Sequence, residues 1–272
     1  LRWFSSAATQ FHHIEWQPME YWIGRPASLG LRHADGTLAA AILVSPDLLG
    51  VTWLHLFAAL KPPGVESAWR KVWPEARKIL HDRRQPSVWT MTTLSWLIDL
   101  LRNDGFVEHG RVIAFSRTAA RPPPPRGPVA IPALMSKSDL PSVERLDHAA
   151  FAPPWQMDCE ALRATFDRSL VSVVHRTEDR IDGYLMASTA PHGIHITRVA
   201  VHPDHQGKGI GRALILHLLD VGRRRGAPRV TVNTQKENLR SRELYRSLGF
   251  AETGESYPVF LHDLAPVDIP FP

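Results

Sequence analysis

Apolar and polar positions alternate over residues 194–201, which predicts a strand, and residues 183–190 before it read as another. From residue 209 the period changes. Ile210, Ala213, Leu214, Leu218 and Val221 recur at helical spacing and predict a helix to about residue 225. A strand over 230–234 and a helix over 238–248 follow, the helix stopped by Gly249 before Phe250, and a strand over 258–264 completes the series. The first part of the chain repeats this order. It has strands over 36–45 and 51–60, a helix over 66–83 and a strand over 88–92. A helix over 94–103 is stopped by Gly105 before Phe106, and a strand over 111–116 follows. The helix endings agree best, with Leu244, Arg246, Gly249 and Phe250 set against Leu100, Arg102, Gly105 and Phe106. One order of elements met twice at such long range points to a duplicated domain rather than a solenoid.

The boundary between the copies is written in proline. Pro122, Pro123, Pro124 and Pro125 lack backbone donors and favour an extended spacer, so residues 121–128 read as a linker between domains at 1–120 and 129–272. A chain of 272 residues suits two ordinary domains, and 44% hydrophobic residues suffice for packed cores. The net charge of +5 is modest, and the dense basic run at 223–225 closes a predicted helix, where cations complement the helix dipole. No nucleic-acid partner is expected. The single cysteine, Cys159, excludes an internal disulfide, and no apolar segment approaches a membrane span. The first residues lack a signal peptide's apolar stretch, so a soluble, cytoplasmic protein without membrane partner is the expectation.

The strongest local signal is the run from Val199 to Ala213. Gly207, Gly209 and Gly211 sit at alternate positions between a predicted strand and a predicted helix. Glycine admits positive φ and close approach of a ligand, and amides at a helix N-terminus form an anion site suited to phosphate. Lys208 and Arg212 add positive charge. The loop lacks the G-x-x-x-x-G-K-[ST] pattern of nucleotide triphosphatases, and its glycine spacing does not fit the dinucleotide fingerprint. His202 and His205 have no convincing third ligand, so no metal is expected.

Gln206, Gly207, Lys208, Gly209, Ile210 and Gly211 match the Q/R-x-x-G-x-G/A motif, and the segment resembles the GNAT (GCN5-related) N-acetyltransferases. The likeness extends to residues 199–203, Asn238, Leu244, Tyr245 and 248–250. It covers about 128–264 by motif and 28–117 by element order only. The resemblance implies an α/β (α+β) fold in three αβα layers, here two tandem GNAT-like domains. Each is a mixed, mostly antiparallel sheet flanked by helices. It implies acetyl-CoA as cosubstrate and a primary amine, small molecule or protein N-terminus, as acceptor. The pantetheine arm is expected in the gap between two splayed central strands, along the strand ending at Val201, with the loop from Gln206 to Arg212 on the pyrophosphate. Val199 then offers a backbone N–H to the oxyanion. Asn238 is placed against the pantetheine and Tyr245, seven residues on and on the same helix face, beside the sulfur as proton donor. The related ribosomal-protein acetyltransferases carry a glutamate base where this chain has Asn233. His195 is therefore a bare alternative for the base. Phe151, Trp155 and Asp158 fall where the family builds its acceptor pocket.

The first copy has lost this equipment. Its loop reads Lys61, Pro62, Pro63, Gly64, Val65 and Glu66, with Leu94 and Leu101 at the places of Asn238 and Tyr245. It is expected to be degenerate and to bind no acetyl-CoA. Eight of the nine tryptophans lie in it, and Trp69 and Trp73 share a helix face, which favours core filling over a ligand pocket. A catalytically silent acetyl-CoA sensor or interaction protein is the competing class. Tyr245 and Asn238 beside an intact loop favour the enzyme.

Overall fold

A computed structural model of the chain describes residues 9–13, 23–25, 27–47, 49–61, 64–120, 131–177 and 180–264. Strands β1 (Thr9–His12), β2 (Ser28–Arg32), β3 (Leu38–Pro46) and β4 (Thr52–Ala59) lead into helix α1 (Val65–Asp82), strand β5 (Ser87–Met91) and helix α2 (Ser95–Asn103). Strands β6 (Val107–Thr118) and β7 (Ala133–Leu134), helices α3 (Leu140–Ala150) and α4 (Cys159–Arg168), and strands β8 (Val171–Thr177), β9 (Arg180–Ala190) and β10 (Gly193–Val201) follow. The chain continues through α5 (Ile210–Arg224), β11 (Arg229–Gln235), α6 (Leu239–Ser247) and β12 (Ala251–Asp263).

Two compact units emerge, and they do not divide the chain at residue 120. Unit 1 comprises Leu1–Gly110 with Tyr257–Pro272, and unit 2 comprises Arg111–Ser256. The difference from domains at 1–120 and 129–272 has a plain cause in strand pairing. Residues 112–118 of β6 run antiparallel to β11, from Val112↔Gln235 to Thr118↔Arg229. The last part of β12 runs antiparallel to β5, from Val259↔Met91 to Asp263↔Ser87. Each copy thus takes its closing strand from the other. The proline-rich segment 121–128 lies outside the described residues.

Unit 1 is a mixed sheet in the order β2, β3, β4, β5 and the end of β12, with β1 also on β4. Its buried β4 packs under α1, whose Ala68, Trp69, Val72, Trp73, Ala76 and Leu80 form the buried stripe at helical spacing. Trp69 and Trp73 are stacked, with centroids 5.4 Å apart, and both are almost wholly inaccessible. The Trp69 indole N–H donates to the Asp104 carboxylate. These two tryptophans are core.

Unit 2 carries the order β6, β11, β10, β9, β8 and β7. One face is covered by α5, with Leu214, Ile215, Leu218 and Leu219 packed on Leu185, Ile194, Ile196, Val230 and Val232. The other carries α3, joined to β9 and β10 through Asp147. A mixed sheet with helices on both faces is the architecture expected from the sequence. Among the described residues no helix is long and apolar enough to cross a membrane.

Candidate active site

The central strands of unit 2 part company after three residues. β10 and β11 are parallel neighbours only at Ile194↔Val230, His195↔Thr231 and Ile196↔Val232. A bulge at Thr197 follows, after which β10 keeps its pairing with β9 through Val201↔Gly183. β11 meanwhile continues beside β6 alone. Residues 197–201 of β10 therefore have one edge facing a gap rather than a strand. His202 N–H donates to Asp182 O at 2.9 Å on the β9 side. Antiparallel alternation then turns the amides of Val199 and Val201 toward the gap. The Val201 carbonyl accepts from Gln206 Nε2 at 3.1 Å, in keeping with that direction.

The glycine loop closes the end of this gap. Gly207 and Gly209 have φ of 81° and 84°, a left-handed backbone that glycine adopts without penalty. Gly209 is the N-cap of α5, and the first intrahelical bond runs from Ala213 N–H to its carbonyl at 2.9 Å. The N–H groups of Ile210, Gly211 and Arg212 precede that bond and form the positive helix end. A Cβ on Gly211 would stand 3.2 Å from Leu244 Cδ2, so this glycine lets the first turn of α5 settle against α6. Lys208 is exposed and Arg212 half-buried. Gln206 is spoken for, since its side-chain oxygen accepts from Arg240.

Asp182, which the sequence did not single out, holds the entrance of the loop. Its carboxylate is fully buried, accepts from Arg180 Nε at 3.0 Å and lies 3.7 Å from His205 Nε2. Burial alone would raise its pKa, but hydrogen bonds from Thr177 and Arg180 outweigh that and hold it below the ordinary value. His202 and His205 thus serve the loop's own structure. Among the described residues no group of three histidine, cysteine or carboxylate side chains is arranged to hold a metal.

Asn238 caps α6, its Oδ1 accepting from Ser241 N–H at 3.1 Å. Two turns on, Tyr245 is 3% exposed and packs between Phe115 and Phe250, with ring centroids 5.6 and 5.9 Å away. Burial drives its phenol well above the ordinary value, against a smaller lowering by Ser241. Val199 and Val201 pack against the same cluster, so their side chains and Tyr245 lie on one side of the sheet.

His195 and the candidate acceptor residues Phe151 and Trp155 lie on the opposite face. His195 sits at the closed end of the gap, with Nδ1 2.9 Å from Thr231 Oγ1, and burial lowers its pKa. Phe151 lies under the Arg198 guanidinium, 3.7 Å from Cζ to the ring centroid, and the Trp155 carbonyl accepts from Arg198. The Asp158 carboxylate caps α4 by accepting from Ala161 N–H at 2.8 Å, so it is engaged by the helix. Asn233 is exposed on β11. Arg198, Asp147 and Tyr184 were missed in the sequence, although the first two bear a legible sign. Arg198 breaks an apolar strand, and Asp147 interrupts the buried stripe Leu140, Val143 and Leu146 of α3.

Unit 1 repeats the parting strands and fills the gap. β4 and β5 are parallel only at Thr52↔Val88 and Trp53↔Trp89. β3 occupies one edge of β4 along its whole length. β1 pairs antiparallel with β4 from Thr9↔Ala59 to His12↔Leu56, so it must lie on the other edge, where β10 faces open space in unit 2. Phe11 anchors it in the unit 1 core. Leu94 caps α2 with no side-chain bond, and Leu101 is wholly buried. Pro62 and Pro63 lie outside the described residues.

Residues 140–250 match the acetyltransferase (GNAT) family model. The chain is 27% identical over 119 residues to the [ribosomal protein bS18]-alanine N-acetyltransferase of Salmonella typhimurium, covering 44% of this chain and 79% of that protein. It is 40% identical over 104 residues to the mycothiol acetyltransferase of Beutenbergia cavernae, covering 36% of this chain and 31% of that protein. A match to the L-amino acid N-acyltransferase MnaT of Escherichia coli is 44% identical over 57 residues, 21% of this chain and 33% of that one. In fold, the chain resembles a tandem GNAT protein from the clavulanic acid biosynthesis pathway, with a TM-score of 0.62 at 14% identity over 94% of this chain and 91% of that one. Residues 140–250 are thus similar to the acetyltransferase (GNAT) family, and the chain has the fold of a tandem GNAT protein.

Proposed function

We propose that unit 2 transfers acetyl from acetyl-CoA directly to the α-amine of an amino acid or of a peptide N-terminus, within a complex of both substrates. The observation that carries this reading is the open edge of β10 at residues 197–201, which leads straight into the glycine loop. The amides of Val199 and Val201 suit an extended amide-bearing arm, as an added strand would. The N–H groups at the start of α5, with Lys208 and Arg212, suit its phosphates. Two relatives support the acceptor class, since one acts on the alanine of a ribosomal protein and another on L-amino acids.

In the transfer, the neutral amine nitrogen bonds to the thioester carbonyl carbon, the C–S bond breaks, and the sulfur leaves as thiolate. The Val199 N–H meets the carbonyl oxygen as charge develops there. Tyr245 meets the sulfur. Its raised pKa makes complete proton transfer to a thiolate, whose thiol has a pKa of about 8.5, less favourable. Its contribution is a hydrogen bond that strengthens with the charge, and solvent completes the protonation. His195 lies four residues from Val199, about 13 Å at ~3.3 Å per residue, and is held by Thr231. The amine therefore arrives neutral or gives its proton to water.

The test is acetylation of an alanine-starting peptide and of free L-amino acids by the wild-type chain and by Tyr245→Phe. The variant is expected to bind acetyl-CoA within about twofold of wild type and to transfer at least tenfold more slowly, as loss of one charge-stabilising hydrogen bond implies. Transfer at the wild-type rate removes Tyr245 from the mechanism. An intact chain that binds acetyl-CoA and acetylates none of these amines is a silent binder instead.

A further inference from the structure

A buried ionic cluster stands on the face of the unit 2 sheet away from Tyr245. The Arg198 side chain is 11% exposed and that of Asp147 wholly inaccessible. They form a two-pronged pair, with Nε to Oδ2 and Nη2 to Oδ1 both at 2.8 Å. Asp147 also accepts from the Tyr184 hydroxyl and from Met157 N–H, the latter at 2.8 Å. Arg198 donates further to the Trp155 carbonyl and covers the Phe151 ring. One pair of side chains from α3 and β10 thereby holds the segment 151–157 at its beginning, middle and end. Burial opposes the guanidinium's charge, yet Tyr184 and Asp147 raise its pKa, and burial and Asp147 raise that of Tyr184.

Such a pair rarely stabilises a fold more than apolar packing of the same volume. What it supplies is position. Arg198 follows the bulge at Thr197, where β10 leaves β11, and precedes Val199, whose N–H faces the gap. The residue that grips the 151–157 segment is thus bonded to the residue that meets the acetyl carbonyl.

We propose that Arg198, seated by Asp147, is a positioning residue that fixes the 151–157 segment against the Val199 amide and so governs how the acceptor amine is presented. This rests on unit 2 being the acetyl-transferring unit with Phe151 and Trp155 as its acceptor wall. The Nε and Nη2 donors of Arg198 are directed to Asp147 and Trp155, so its part in the transfer is played through the segment it holds.

Arg198→Ala, Arg198→Lys and Tyr184→Phe test the assignment in the full chain. Three readouts are needed: acetyl-CoA Kd by calorimetry, hydrogen exchange over 151–157, and steady-state acetylation of the alanine-starting peptide or the best free L-amino acid. In Arg198→Ala, exchange is expected to accelerate at least tenfold and the acceptor KM to rise at least tenfold. The acetyl-CoA Kd should stay within twofold and kcat within about threefold. Arg198→Lys, which keeps the charge without the fork, should fall between, and Tyr184→Phe, which keeps the pair, should shift KM least. If Arg198→Ala does not fold, the other two variants carry the same comparison. Faster exchange with an unmoved acceptor KM overturns the proposal, as does an acetyl-CoA Kd that weakens in step with KM. Wild-type chain that binds acetyl-CoA but transfers to none of these amines overturns it together with the enzyme reading, whereas wild-type transfer with unchanged variants overturns it alone.

Discussion

Burial changes what individual side chains of this protein are able to do. The family resemblance places Tyr245 beside the sulfur, and on the proposed reading its packing between Phe115 and Phe250 favours a hydrogen-bond donor over an acid. His195, a plausible base by position, is engaged with Thr231. His13 gives the clearest pH consequence. Burial, then the neighbouring His55 and His12, lower its pKa from 6.5 to about 3. Between those values the unfolded chain binds the proton and the folded chain does not, so stability rises with pH across that window. The contribution is complete above pH 6.5 and disappears as pH falls toward about 3. Denaturation followed by tryptophan fluorescence, which reports mainly on the first part of the chain, should show stability falling steeply from pH 6.5 to 4. His13→Phe, which keeps an aromatic ring against Trp53, should flatten that slope. An unchanged slope assigns the acid sensitivity to other groups.

At the scale of elements, the glycine loop and its helix were legible because backbone chemistry leaves few alternatives. Three alternate glycines before a helical apolar stripe specify an amide-lined turn almost regardless of what surrounds it. The missed elements are those whose local pattern is weak. The first half of β12 runs through Glu252, Thr253, Gly254 and Glu255, all exposed, and lies outside the strand read at 258–264; β6 supplies its partner, as in the Thr253 hydroxyl bond to Ala114 O. β1 has four residues and one buried side chain. It exists because β4 presents a vacant edge, a condition set by tertiary pairing and invisible in residues 9–12 themselves. Phe11→Ala should therefore destabilise unit 1 by about 3–5 kcal/mol, as for other buried phenylalanines, read as a shift in the fluorescence-detected denaturation midpoint. Acetyl-CoA stoichiometry should not change, because the unit 1 loop keeps one glycine beside two prolines and leucines stand where unit 2 has Asn238 and Tyr245.

Across the whole chain, duplication was legible in the order of elements, whereas the exchange of closing strands was not. Periodicity marks residues 111–116 and 258–264 as strands, but which sheet receives a strand depends on edges made far away in sequence. Two copies then meet the same problem, a gap between parting central strands, and solve it differently. Unit 1 fills the gap with its own β1, while unit 2 keeps it open beside the glycine loop. On the proposed reading the duplicated protein holds a single acetyl-CoA site. Calorimetric titration of the full chain with acetyl-CoA measures this directly. One equivalent bound per chain is the predicted result, and two equivalents, or none, would contradict it.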